Sequence, residues 1–214
     1  MRNHSNELTS ALTHLVGAIL AVAGLVVLII LANLHGTAWH VVTFSIFGVS
    51  LILLYGASAT YHFVPSYHKT KNLFRKLDHS MIFVLIAGTY TPITLISLRG
   101  GWGWSMFGIV WGIAVIGILL KMKSVKLIGW QLAVLYLLMG WIALVAIVPL
   151  LRSVPLYGIM WLFAGGLFYT IGTIFFGLRD KALHFPWLRA HDIFHIFVMA
   201  GSFSHFWMMI KYVL

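Results

Sequence analysis

The chain has 214 residues, of which 61% are hydrophobic and only 8% are charged. A soluble globular domain usually carries about 25% charged residues, so this composition excludes a water-soluble protein and indicates a chain that folds in the lipid bilayer. The formal net charge of +10 does not indicate nucleic-acid binding, because the basic residues fall in short gaps between apolar runs, where anionic lipid headgroups would face them.

Seven apolar runs of about 20 residues each follow one another, and this length crosses a hydrocarbon core of about 30 Å. Backbone polar groups in lipid must be satisfied within each segment, so long apolar runs predict helices. We therefore predict an all-α, seven-transmembrane-helix bundle forming a single membrane domain over residues 1–214. The predicted spans cover about 11–33, 41–63, 78–98, 102–121, 127–149, 156–178 and 191–213.

The distribution of lysine and arginine predicts the orientation of this bundle. Eleven of the 14 basic residues fall on the side of the N-terminus: Arg2, Lys69, Lys71, Arg75, Lys76, Lys121, Lys123, Lys126, Arg179, Lys181 and Arg189. The other side has Arg99, Arg152 and Lys211. Since cytoplasmic loops carry the excess of positive charge, we expect a cytoplasmic N-terminus and an external C-terminus.

The seventh predicted span begins with two histidines, His191 and His195, four residues apart. Side chains at this spacing share one helix face and lie about 6 Å apart along the axis, so two imidazoles there can reach one zinc ion. The chain has no cysteine, so any metal must be held by nitrogen or oxygen ligands. The spacing by itself equally fits two unrelated histidines at the membrane interface.

A zinc site needs at least one further ligand, and the second span supplies a candidate near its end, His62. In the predicted topology the second span ends, and the third and seventh spans begin, on the cytoplasmic side. His62, His191, His195 and the third-span residue Asp78 are therefore expected at similar depth. This convergence from three helices supports a metal site more strongly than any single motif does.

Two polar residues near these histidines have both a chemical and an architectural interpretation. Ser58 shares a helix face with His62, although a small residue there could simply permit close helix packing. Asp78 could orient a water molecule at a metal, or it could stabilise the N-terminus of the third span through the helix dipole. For Asp192, which points away from the face of His191 and His195, we prefer the helix-dipole interpretation.

The remaining histidines are not predicted to bind the metal. His205 lies about 21 Å along the seventh span from His191, too far to share one ion, and nearly in phase with it around the helix. It could face the same interior cavity, and we expect it to hydrogen-bond a neighbouring helix. The others fall at or near connections and span ends and receive no role: His4, His14, His35, His40, His68, His79 and His184.

Several motifs together resemble the hemolysin III family, the bacterial branch of the progestin and adipoQ receptor superfamily. They are Ser58-Ala59-Thr60-Tyr61-His62, Lys76-Leu77-Asp78-His79-Ser80, Leu85 through Pro92, Met139-Gly140-Trp141, and His191-Asp192-Ile193-Phe194-His195 through Phe206. The resemblance covers nearly the whole chain. One departure concerns the seventh span, which many relatives begin with His-Ala-Ile-Trp-His.

This resemblance implies seven spans with a cytoplasmic N-terminus, in a multi-pass protein of the bacterial plasma membrane. It implies zinc bound by His62, His191 and His195, with Ser58 and Asp78 matching the serine and aspartate of the family. The wider group includes alkaline ceramidases, which hydrolyse lipid amides. Hemolysin III proteins themselves were named for lysing red cells through a proposed pore.

Two functions of different classes follow. In the first, the protein is a zinc-dependent hydrolase of lipid amides or esters, in which Asp78 accepts a proton from water and Ser58 hydrogen-bonds the water or a developing oxyanion. In the second, it is a non-enzymatic cytolysin or regulator of membrane properties, with structural zinc. No helix carries a row of charged residues that would line a wide pore, so a pore would require a homo-oligomer. Membrane lipids are the expected partners, and nucleic acid is not.

Overall fold

The computed structural model describes residues 4–123, 129–177 and 189–214, in which all regular structure is helical. The α-helices are α1 His4–His35, α2 Ala38–Phe63, α3 Lys71–Pro92, α4 Gly101–Met122, α5 Gly129–Gly140, α6 Ile147–Ser153, α7 Leu156–Gly177 and α8 Ala190–Met208. The π-helical turns Ile93–Ser97 and Met209–Val213 continue α3 and α8, and the 3-10 segment Trp141–Ala146 joins α5 to α6.

Seven helical stretches of the described chain are long and apolar enough to cross a membrane, which confirms the predicted all-α bundle. They are Glu7–His35, Ala38–Phe63, Lys71–Ser97, Gly101–Met122, Trp130–Ser153, Leu156–Phe176 and Ala190–Val213. Each overlaps one predicted span. The fifth span combines α5, the 3-10 segment and α6.

The third span is the central helix of the bundle. Of its most apolar window 72% is buried within the protein, against 17% for Leu156–Phe176. Side chains exposed on the outer helices are largely apolar, as expected for a surface that faces lipid, for example Ile19, Ile116 and Leu138. Residues of the third span are therefore enclosed by other helices, and Asp78 is among them.

Two predictions about helix ends are settled by the observed bounds. Helix α3 begins at Lys71, so Asp78 lies two turns inside it and not at its N-terminus. Because the dipole acts within the first turn, the helix-dipole interpretation of Asp78 is wrong. The same interpretation of Asp192 is confirmed, since Asp192 lies in the first turn of α8 and its Oδ2 accepts a hydrogen bond of 3.0 Å from the backbone N–H of Arg189.

The ends of three helices are joined by Lys71. Its ammonium donates hydrogen bonds of 2.7 Å to Oε2 of Glu7 on α1, and to the carbonyls of Tyr61 and Val64 where α2 ends. The ammonium also lies 4.3 Å from the centroid of the Tyr61 ring. Lys71 thus fixes the end of α2, on which His62 lies.

Some residues used in the sequence analysis, Arg2, Lys126, Arg179, Lys181 and His184, lie outside the described residues. The orientation of the bundle and its organisation as one domain stay predictions.

Candidate metal centre

Three histidines meet where α2 ends and α8 begins. His62 lies in the last turn of α2, and His191 and His195 lie in the first two turns of α8. Each offers one ring nitrogen to a group in which all three atoms lie within 4.8 Å of one another, so the group could hold a metal ion. His62 and His195 are buried, and His191 is partly buried.

The spacing of these nitrogens suits a small divalent ion. Nε2 of His62 lies 3.2 Å from Nε2 of His191. Two nitrogens bound tetrahedrally to zinc at about 2.0–2.1 Å are separated by about 3.3 Å. The imidazole centroid of His195 lies 5.2 Å from that of His62 and 4.6 Å from that of His191. Three imidazoles at these distances could hold one metal ion, and zinc is an ion that imidazole nitrogens suit.

The two buried histidines of this group differ at their second ring nitrogen. Nδ1 of His195 lies 3.2 Å from the hydroxyl oxygen of Thr13 on α1. Nδ1 of His62 is buried, and no described residue hydrogen-bonds it. His195 is therefore the better supported of these two rings.

Ser58 and Asp78, the predicted catalytic pair, contact each other. Both are buried, and the Ser58 hydroxyl is hydrogen-bonded to the Asp78 carboxylate across the interface of α2 and α3. Among the described residues the group of possible metal ligands consists of the three histidines, so Asp78 lies outside it. The Asp78 carboxylate thus lines the same cavity as His191 and His195 without belonging to the three-histidine group.

A large cavity reaches two of the three histidines, His191 and His195, together with Ser58 and Asp78. It comprises about 1300 Å³ including its open part, and it is lined by α2, α3, α5, α7, α8 and one residue of α1. Ser58, Asp78, His191 and His195 line one end, and the remaining wall is mostly apolar.

His205 also lines this cavity, as its phase on α8 predicted. Its ring packs on Gly165 of α7, where an added Cβ would come within 2.5 Å of Nε2. Its Nδ1 is buried and receives no hydrogen bond from the described part of the chain, so the expected bond to a neighbouring helix is not made at that nitrogen.

Three residues of α1 contribute to this region although the sequence analysis gave them no role: Ser10, Thr13 and His14. The ring of His14 stacks on that of His195 with a centroid distance of 3.5 Å. The signal was present in the sequence, because polar residues at positions i, i+3 and i+4 share one face of a helix, and polar residues within a span are costly. His14 was discounted because the first span was predicted to begin at residue 11, whereas α1 begins at His4.

The fold and this site define a multi-pass helical membrane protein with a buried three-histidine group. A family model described as "Haemolysin-III related" matches residues 2–206. The chain therefore belongs to the haemolysin-III-related family, and it is a multi-pass bacterial membrane protein.

Characterised proteins of similar sequence agree with this assignment. The chain is 44% identical to "Hemolysin-3" of Bacillus cereus over 208 residues, which cover 97% of this chain and 92% of that one. It is 41% identical to the "Hemolysin-3 homolog" of Bacillus subtilis (strain 168) over 206 residues, or 96% and 93% of the two chains. Human "Monocyte to macrophage differentiation factor" is more distant, at 28% identity over 92% of this chain and 81% of its own.

Proposed function

We propose that this protein is a zinc-dependent hydrolase of membrane lipids, with an amide or ester as the bond that is cleaved. The observation that carries the proposal is the cavity in which Ser58, Asp78 and two histidines of the three-histidine group, His191 and His195, meet a long apolar wall. His62, His191 and His195 would hold the zinc. A zinc ion there would supply Lewis-acid activation of water or of a carbonyl group.

The roles of the chain's own residues follow from their contacts. The Asp78 carboxylate is enclosed by helices and lines the same end of the cavity as His191 and His195, so it can accept and hold a proton there. The Ser58 hydroxyl donates its hydrogen to the Asp78 carboxylate and thereby orients it.

The cavity determines which substrates fit. Its wall extends along α8 from His191 to His205, which is about 21 Å of helix rise. Apolar residues such as Leu54, Leu85 and Val198 form most of this wall, and they would accommodate an acyl chain and exclude water from the reacting end. A lipid in the bilayer supplies both such a chain and an amide or ester group.

A second candidate function is supported by the name of a relative. A protein of Bacillus cereus that is 44% identical to this chain is named "Hemolysin-3". In this alternative the protein is a non-enzymatic cytolysin or membrane regulator, alone or as a homo-oligomer, and zinc only joins α2 to α8.

The test is metal analysis of the purified protein combined with hydrolysis assays on lipid amides and esters in nanodiscs. We expect about one zinc per chain and release of fatty acid that stops when zinc is removed by a chelator and resumes when zinc is returned. A protein that carries stoichiometric zinc, lyses membranes and cleaves none of these lipids would support the second function and contradict the first.

A further inference from the structure

The proton on the imidazole of His195 can be placed from its surroundings. Nδ1 of His195 lies 3.2 Å from Oγ1 of Thr13, a pair in which either atom could be the donor by distance alone. The Thr13 hydroxyl, however, donates its only hydrogen to the carbonyl of Ser10 at 2.9 Å. Oγ1 of Thr13 can therefore only accept, so Nδ1 of His195 carries the proton.

A second contact agrees with this placement. The same imidazole donates a hydrogen bond to the backbone carbonyl of Ser10, one turn before Thr13 on α1. In a neutral imidazole only one nitrogen carries a proton, so Nε2 of His195 has its lone pair free. Nε2 of His195 is then the nitrogen that this histidine offers to a metal.

We propose that α1 forms part of the metal centre, in which Thr13 is a positioning residue that selects Nε2 of His195 as the ligand. His14, which stacks on His195, holds the plane of that ring. This inference rests on the metal site of the proposed function and is independent of whether the protein turns over a substrate.

The position of Thr13 is itself fixed against α8. The Ser10 hydroxyl donates a hydrogen bond of 2.5 Å to Oδ1 of Asp192 and accepts one of 3.0 Å from Nη2 of Arg189. Asp192, which also caps α8 through its other oxygen, is buried. These bonds set the register between α1 and the helix that carries two of the three histidines.

The stacking contact restrains the remaining freedom of the His195 ring. His14 and His195 are nearly parallel, with an interplanar angle of 8° and a centroid distance of 3.5 Å. Both rings are buried, and neither nitrogen of His14 is hydrogen-bonded by any part of the chain that the structure describes. The flat ring of His14, rather than a hydrogen bond from it, is what contacts His195.

The first test compares zinc affinity in Thr13→Val, Thr13→Ser and the parent, by competition with a chromophoric chelator. Outer contacts of metal-ligating histidines typically change affinity by about 10–100-fold, so Thr13→Val should bind zinc about 10–100-fold more weakly. Thr13→Ser keeps the accepting oxygen and should stay near the parent. Equal affinity of Thr13→Val and the parent would overturn the inference while leaving the zinc site intact, and a parent that binds no zinc would overturn both.

The second test needs no Thr13 variant and no metal. In metal-free parent protein labelled with 15N-histidine, the resonance of His195, assigned with His195→Gln, should show the proton on Nδ1. A proton on Nε2 would contradict the inference even if Thr13→Val failed to fold.

A matched pair of substitutions tests the stack. His14→Phe keeps a flat ring and removes both nitrogens, and it should retain zinc affinity, whereas His14→Ala should weaken it. Loss of affinity in His14→Phe as large as in His14→Ala would show that the nitrogens of His14, and not its ring plane, support the site.

Discussion

Nε2 of His62 lies 3.2 Å from Nε2 of His191, although 129 residues separate the two along the chain. The contact exists because α2 ends and α8 begins at the same end of the bundle. Lys71 supports it by hydrogen bonds to the last carbonyls around α2, and Asp192 supports it by capping α8. The ends of the two helices therefore hold these two nitrogens at a separation close to that of two tetrahedral zinc ligands.

Removing one of these ligands should abolish stoichiometric zinc. We expect about one zinc per chain in the parent and sharply reduced zinc in His62→Ala, because a three-residue site loses one of its direct ligands. Elemental analysis of purified protein measures this. His205→Ala is the control, since His205 lies far along α8 from His191, and it should keep the metal. Full zinc occupancy in His62→Ala would exclude His62 as a ligand.

Replacing the buried carboxylate separates the two proposed functions. Asp78→Asn keeps the shape of the side chain and some hydrogen bonding to Ser58, but it cannot accept the proton in the same way. If the protein is a hydrolase, turnover should fall by about 10²-fold or more, the usual scale for a general base. Zinc affinity should fall by no more than about 10–100-fold, since Asp78 is not among the three ligands.

A different set of results for Asp78→Asn and the parent would exclude the hydrolase. Unchanged lytic or membrane activity in this variant, with zinc bound and no hydrolysis by the parent, would exclude the enzyme and favour a structural zinc.

Ser58→Ala, which removes the hydroxyl bonded to Asp78, should lower turnover in the same assay without loss of zinc.

Breaking the contacts of Lys71 should destabilise the end of the bundle. Lys71→Met leaves Glu7 without its partner and removes hydrogen bonds to two carbonyls. Hydrogen bonds to charged groups contribute about 1.5–3 kcal/mol, so the melting temperature in detergent should fall measurably. Lys69→Met, which removes the same charge from an exposed position two residues away, is the control. Equal melting temperatures for both variants would mean that the contacts of Lys71 contribute no stability.

The orientation of the bundle can be tested with reporters. The excess of basic residues on one side predicts a cytoplasmic N-terminus and, with seven spans, an external C-terminus. A reporter that is active only outside the cytoplasm should therefore be active at the C-terminus and inactive at the N-terminus. The opposite pattern would place the three-histidine cluster in the outer half of the membrane.

The residues of the cluster were predictable because local geometry and topology specify them. A spacing of four residues places His191 and His195 on one helix face whatever surrounds the helix. Four spans, an even number, lie between the second and the seventh, so the second span ends on the side where the seventh begins. The phase of His205 relative to His191 likewise indicated that both line one cavity.

The sequence by itself determined the seven spans, because apolar runs of about 20 residues satisfy their backbone polar groups in lipid as helices. It also determined which three histidines lie at a similar depth. Only the tertiary structure decided how α1 packs against α8, which places Thr13 and His14 on His195. It also decided that Asp78 lies two turns inside α3, since the polar start of that helix is ordered by contacts such as those of Lys71. Contacts between distant segments depend on packing, and hydropathy along the chain does not encode them.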